Sequence, residues 1–378
     1  MSLPVVASWP AHRAGAVLTI DLGAITENYK FLAQKVQGAT CAAVVKSDAY
    51  GLGAIQVAQA LEQAGAKEFF VAHVDEGLAL KPALSAQARI TVLHGARPQA
   101  LAECLQAGLR PVLNSLEQVA ELKAYAHSTG QQQDAVLQLD TGMSRFGLSG
   151  TDVALLAESP DLLSGISLSL LMSHLACADT PQDPANAQQL ACLLRYACVL
   201  PKAPLSLAAS SGIFVGQNFH QNLVRPGAAL YGVAPNTQGP NPLQPVVRLQ
   251  ARVLQTRYLK KGDRVGYGLT WQASGPCRIA TLATGYADGF ARAGATTGCA
   301  WFEGHKLPIL GRISMDSLTV DVSGVPEAAL GAETLVDLLN DQYGVDDVAK
   351  AEGTIGYEIL TSLGRRYHRV YHNQPSPV

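Results

Sequence analysis

A lysine stands at the tip of an apolar run. Ala43, Val44 and Val45 are buried-type residues, and Lys46 follows them at once in A-V-V-K-S-D-A-Y-G-L-G-A. An ammonium drawn partly out of water has a lowered pKa, and a lysine so tuned condenses with a carbonyl to form a Schiff base. The plainer reading is a strand-end lysine whose stem is buried and whose head snorkels to solvent. Gly51-x-Gly53 ahead of the apolar-periodic Ile55, Val57, Ala58 and Leu61 also invites a dinucleotide-binding reading. Its third glycine would fall at Gln56, so that motif is incomplete.

Other polar groups worth weighing lie far along the chain. Arg145 stands in D-T-G-M-S-R-F-G, His174 in S-H-L-A, Ser210 and Ser211 in A-A-S-S-G-I, and Arg225 in V-R-P-G-A-A. A lone buried histidine is more often structural than functional. His174-x-x-Cys177 with Asp179 nearby has no second paired ligand set, so no metal site is expected.

The elements that must position these groups recur regularly. Candidate strands run over 41–45, 69–72, 90–93, 110–113, 135–139, 166–172, 205–208 and 223–225, with helical patterns such as 25–36, 100–107, 116–126 and 185–199 between or before them. Strands alternating with helices predict a parallel sheet, and eight such units predict a (β/α)8 TIM-type barrel. Lys46 then follows the first strand, Arg145 the fifth, His174 the sixth and Ser210–Ser211 the seventh, while Arg225 ends the eighth. In a barrel these positions converge on the carboxyl end of the strands, where sites are built.

Composition changes at P-N-T-Q-G-P-N-P-L-Q-P, residues 235–245, a loop or linker. Beyond it the apolar period becomes two, at Val247, Leu249, Ala251 and Val253, which predicts a mainly antiparallel β domain. The expected division is a barrel over 1–242 and a β domain over 243–378. The strand-like 16–20 fits either one, and the tail 373–378 is expected to fray.

The totals exclude several classes. The 378 residues are 48% apolar and 15% charged, with a net charge of −2. That balance gives no electrostatic case for nucleic acid or an anionic membrane, and no apolar run approaches the ~18 residues of a membrane span. The start M-S-L-P-V-V-A-S-W-P lacks a basic segment and a long apolar core, so no secretory leader is expected. Seven scattered cysteines without C-x-x-C fit reduced thiols in a cytoplasmic protein.

The ordered set A-V-V-K-S-D-A-Y-G-L-G, D-T-G-M-S-R-F-G, S-H-L-A, V-R-P-G-A-A-L-Y-G, V-G-Y-G, G-Y-A-D-G, G-R-I-S-M-D and I-G-Y-E resembles the motifs of alanine racemases, and it runs over nearly the whole chain. The resemblance implies pyridoxal 5'-phosphate bound covalently to Lys46. It implies that Tyr50, Ser211 and Tyr357, with backbone N–H groups at Gly227 and Ala228, hold the phosphate. Arg225 would face the pyridine nitrogen and His174 would hold Arg225. Arg145 would take the substrate carboxylate or the cofactor's phenolic oxygen. Lys46 and Tyr267 would be the two bases, one on each face of the α-carbon, with Met315 and Tyr286 at the substrate entrance. In the family Tyr267 and Met315 come from the partner subunit, so a homodimer with shared sites is implied, acting on L- and D-alanine and supplying D-alanine for peptidoglycan.

Ser210 departs from an asparagine common in the family. Gln138 stands where many relatives carry a lysine, often carbamylated; a neutral amide there would position Arg145 by hydrogen bonds. A racemase of broader range, acting on serine or basic amino acids, is the nearest alternative. The related decarboxylases would need a glycine-rich phosphate loop that A-A-S-S-G-I does not resemble. A single-domain pyridoxal-phosphate carrier would lack Tyr267, Tyr286 and Met315.

Overall fold

The computed structural model describes residues 9–295 and 297–373. Two expectations fall outside them: the missing leader, read largely on 1–8, and the frayed tail at 374–378. The chain divides into two compact units, one holding Ile25–Gln244 and the other the residues up to Ala24 and from Pro245 onward.

Strand β1 (Ala16–Asp21) opens the described chain. The larger unit then carries β2 (Thr40–Cys41), β3 (Ala43–Val44), β4 (Glu68–Val71), β5 (Arg89–Val92), β6 (Arg110–Leu113), β7 (Gln133–Gln138), β8 (Ile166–Met172), β9 (Leu205–Ser206) and β10 (Leu223–Val224). Strands β3 to β9 form one sheet in sequence order, every pair parallel. Strand β10 closes it. It pairs with β2, while Asn222 and Arg225 donate backbone N–H groups to Leu205 and Ala208 at 3.0 and 2.9 Å. The ring is a TIM-type barrel whose first strand is interrupted at Ala42, with β10 on one edge and β4 on the other. The eighth strand is shorter than expected, because Pro226 has no N–H to extend the ladder.

Parallel strands buried on both faces read as continuous apolar runs, and Phe69, Phe70, Ile90, Val112, Val136 and Leu137 are all fully buried. Helices follow the strands, among them Ala54–Gln63, Val74–Leu80, Leu116–Thr129 and Pro184–Ala197. Inside the amino end of the barrel sits an ion pair. Glu68, first residue of β4, accepts from Arg110, first residue of β6, at 2.6 Å, and the Arg110 Nε donates to Thr91 at 3.0 Å.

The second unit adds β11 (Val247–Leu259), β12 (Arg264–Val265), β13 (Trp271–Gln272), β14 (Cys277–Leu282), β15 (Cys299–Phe302), β16 (His305–Pro308), β17 (Leu318–Asp321), β18 (Leu335–Leu339) and β19 (His368–His372). Its main sheet runs β16-β15-β18-β11-β1-β19, with β14 and β17 continuing from β11. All pairs are antiparallel except β1 with β19. Strand β1 alternates buried Ala16, Leu18 and Ile20 with half-buried residues, as a strand with one face on a core does.

Candidate active site

Lys46 stands at the carboxyl end of β3. The chain then does something the sequence does not announce. Ser47, Asp48, Ala49 and Tyr50 all have φ between 52° and 57°, a left-handed turn without a glycine. Each such residue costs about 1 kcal/mol or more, so the surroundings must hold it. Glu76 does so from the first turn of the helix after β4: one carboxylate oxygen accepts from Ser47 N–H at 2.5 Å, and the other from Ala72 and His73 N–H at 2.6 and 3.0 Å. Asp48 accepts from Ala54 N–H at 2.7 Å and so starts the helix beyond the turn. Tyr50 is buried against Tyr231, ring centroids 4.8 Å apart. The Tyr231 hydroxyl donates to the Val44 carbonyl at 3.0 Å. Burial and the nearby Arg145 cation lower the Lys46 pKa, while Glu76 opposes the shift.

Arg225 is buried at the end of β10. It donates to Ser206 Oγ and to the Ser173 carbonyl, the latter at 2.6 Å, and reaches His174 Nδ1 at 3.5 Å. Burial pushes Arg225 down to about 10, which leaves it charged at neutral pH. His174 is pushed down to about 3, by burial first and then by Arg225, Arg145 and Lys46, so it is neutral there. Gln189 fixes the His174 loop by donating to its carbonyl at 2.9 Å.

Ser210 is buried and accepts N–H bonds from Gly227 at 3.0 Å and Ala229 at 3.1 Å. The Gly227 N–H is therefore already engaged, whereas the Ala228 N–H between them has no partner among the described residues. A Cβ at Gly227 would overlap the Tyr50 hydroxyl. Ser211 is half-buried just before the short helix Gly212–Val215.

Arg145 is exposed in a loop tied together by Asp140, whose Oδ1 accepts from Gly142, Met143 and Ser144 N–H at 2.9 to 3.0 Å. Gln138 is buried, but among the described residues no hydrogen bond joins it to Arg145. The guanidinium lies instead 5.8 Å from the Phe146 ring. That corrects the role expected for the amide. Two histidines absent from the sequence reading stand on the same rim: His73 and His94 meet edge to face at 4.6 Å, and His94 lies 5.3 Å from Phe146. Each lies two residues beyond the end of a barrel strand, the signal by which they could have been found.

In the β unit Tyr267 follows the glycine turn after β12 and is 69% exposed. A Cβ on Gly268, its neighbour, would come 2.9 Å from the Arg312 guanidinium. Tyr286 and Met315 lie on paired loops: the N–H groups of Tyr286 and Ala287 bond the carbonyls of Ser314 and Met315 at 3.1 and 3.0 Å. Arg366 locks the pair by gripping Asp288 through Nε and Nη2 at 2.7 and 2.9 Å and Asp316 through Nη1 at 2.7 Å. Tyr286, Ala287, Gly289, Ala291, Arg292 and Ser362 line a cavity of about 560 Å³. Tyr357 is partly exposed near the start of the helix Gly356–Ser362.

A family model described as alanine racemase, N-terminal domain, matches residues 20–235, and one described as alanine racemase, C-terminal domain, matches 246–371. This chain belongs to the alanine racemase family. A catabolic alanine racemase of Agrobacterium fabrum is 48% identical over 98% of this chain and 96% of its own length. A catabolic alanine racemase of Mesorhizobium japonicum is 50% identical over 97% and 96%. The crystal structure of alanine racemase from Bartonella henselae, with covalently bound pyridoxal phosphate, is 40% identical with a TM-score of 0.91, covering 95% of this chain and 99% of that one. Alanine racemase structure thus accounts for the barrel and for the β unit alike.

Proposed function

We propose that this chain interconverts L-alanine and D-alanine with pyridoxal 5'-phosphate carried on Lys46. The reading rests on the barrel rim, where a desolvated lysine shares one electrostatic neighbourhood with Arg145, His174 and Arg225. The residues suit the cofactor. An amine that attacks an aldehyde must shed its proton, and burial favours that at Lys46. Gly227 leaves space that any side chain would take from Tyr50. The Ala228 N–H is available to a phosphate oxygen, with the Tyr50 hydroxyl close to the neighbouring Gly227; the hydroxyls of Ser211 and Tyr357 join them on the resemblance.

When bound, pyridoxal phosphate supplies the electron sink that makes the α-proton of an amino acid removable. The chain's own groups do the rest. Arg145 binds the substrate carboxylate. Arg225, always charged, donates toward the ring nitrogen and keeps it from taking a proton, so a proton lost from the α-carbon is soon returned there. Lys46 Nζ moves that proton on one face, and the partner subunit's Tyr267 on the other. Tyr286 and Met315 frame the substrate entrance. The site then belongs to a homodimer, a reading supported by the exposure of Tyr267, Leu269 and Met315, each above half.

The two relatives named catabolic favour alanine consumption over peptidoglycan supply as the cellular duty. A deletion strain that grows only with added D-alanine would contradict that. All seven cysteines are unpaired, which favours the reducing cytoplasm. Among the described residues no helix is long and apolar enough to cross a membrane. The purified protein should convert L-alanine until both enantiomers are equal, as mirror images require. Serine, lysine and arginine assayed alongside measure breadth. Carbon dioxide release without D-alanine would overturn the reading.

A further inference from the structure

We propose that Glu76 is a positioning residue for Lys46, holding both the direction in which the lysine leaves its strand and the proton on its amine. The proposal rests on Lys46 being the cofactor-bearing residue. Two independent observations lead to it.

The first is the backbone. The left-handed turn Ser47–Tyr50 begins one residue after Lys46 and contains no glycine. Such a turn persists only where its surroundings fix it. At its start the fixing group from outside the turn is the Glu76 carboxylate on Ser47 N–H. The same carboxylate is anchored on Ala72 and His73 N–H, at the end of the neighbouring barrel strand. Glu76 therefore staples the Lys46 turn to the rim of the barrel. Three N–H bonds from two loops fix where that carboxylate stands.

The second is charge. The groups that act on the Lys46 amine are the Arg145 cation from the loop after β7 and Glu76 from the helix after β4. Lys46 in turn acts on His94 after β5 and His174 after β8. Both histidines are driven toward the neutral form, and Arg145 carries the same sign as the lysine. Glu76 is the one anion among these groups. Its removal takes away the counter-charge and makes the amine easier to deprotonate. A purely architectural residue would have no such effect.

The test uses the full-length chain freed of cofactor and then given pyridoxal phosphate across a pH series. Borohydride trapping and mass spectrometry of the Lys46 peptide give the rate of attachment, which rises as the amine loses its proton. In Glu76→Gln the charge is gone, and the one remaining oxygen can accept from Ser47 or from Ala72 and His73 but not from both sides, since the amide NH2 only donates. Its midpoint should move down, because the counter-charge that opposes the lowering is lost. Glu76→Asp withdraws the carboxylate by one methylene and should move the midpoint the same way by less, so the question survives a Gln variant that fails to fold. Slower trapping at every pH with an unmoved midpoint in either variant would overturn the proposal. Failure of the parent chain to trap at Lys46 would overturn the cofactor assignment instead.

Discussion

His174 Nδ1 lies 3.5 Å from Arg225 Nη2, and the contact works only while that nitrogen is bare. His174 is held down to about 3 against an ordinary 6.5. A folded-state pKa below the unfolded one adds stability that is complete above about pH 6.5 and lost as the pH falls toward 3. Thermal midpoints should therefore drop between pH 7.5 and pH 5. His174→Gln, which cannot take the proton, should shrink that drop, and an equal drop in the variant would contradict the assignment.

Glu352 provides the opposite sign. Burial raises its carboxyl from 4.5 to about 7, although the Ala291 N–H at 3.1 Å opposes the shift. A raised carboxyl adds stability below its unfolded pKa and loses it as the pH rises through about 7. Glu352→Gln keeps an acceptor for Ala291 and should raise the thermal midpoint at pH 8 relative to the parent, with less change at pH 5. A variant less stable at pH 8 would contradict this.

Much of this was legible in the residues. Strands buried on both faces appear as apolar runs, so Phe69–Val71 or Val136–Leu137 could be placed by type alone, and the polar residues at their ends followed. What could not be read depends on backbone geometry or on pairing across the fold. Ser47–Tyr50 holds no glycine, so its left-handed turn leaves no mark in the sequence. Glu76, an acid in the first turn of a helix, reads as a solvated charge. Ser206 grips Arg225 from nineteen residues away, and only closure of the barrel brings the two together. Gln138 misled because a familiar position suggested a partner that burial does not supply.

The Glu68–Arg110 pair should matter for stability rather than activity. Glu68 is 4% and Arg110 8% exposed at the side chain, and removing Glu68 leaves the buried Arg110 facing the half-exposed Asp134, 3.9 Å away, as its counter-charge among the described residues. Glu68→Ala should cost roughly 3 kcal/mol, read from denaturant unfolding followed by a probe in the barrel. A loss within about 0.5 kcal/mol, as at an ordinary surface site, would show the pair to be unimportant.

Arg366 grips the two carboxylates that hold the Tyr286 and Met315 loops. Arg366→Lys keeps the charge but cannot fork onto Asp288 while reaching Asp316. The KM for alanine should rise about tenfold, a change of ~1.4 kcal/mol, with a smaller effect on kcat. A fall in kcat at constant KM would move Arg366 out of the entrance role.

In the proposed mechanism Lys46 of one subunit works with the partner subunit's Tyr267. Lys46→Ala and Tyr267→Ala, each nearly inactive alone, can be unfolded and refolded together in equal amounts. Random pairing makes about half the dimers mixed, and a mixed dimer carries one doubly damaged site and one intact site. Racemisation should return to roughly a quarter of the parent's activity per subunit. A mixture as inactive as its two components would contradict the shared site.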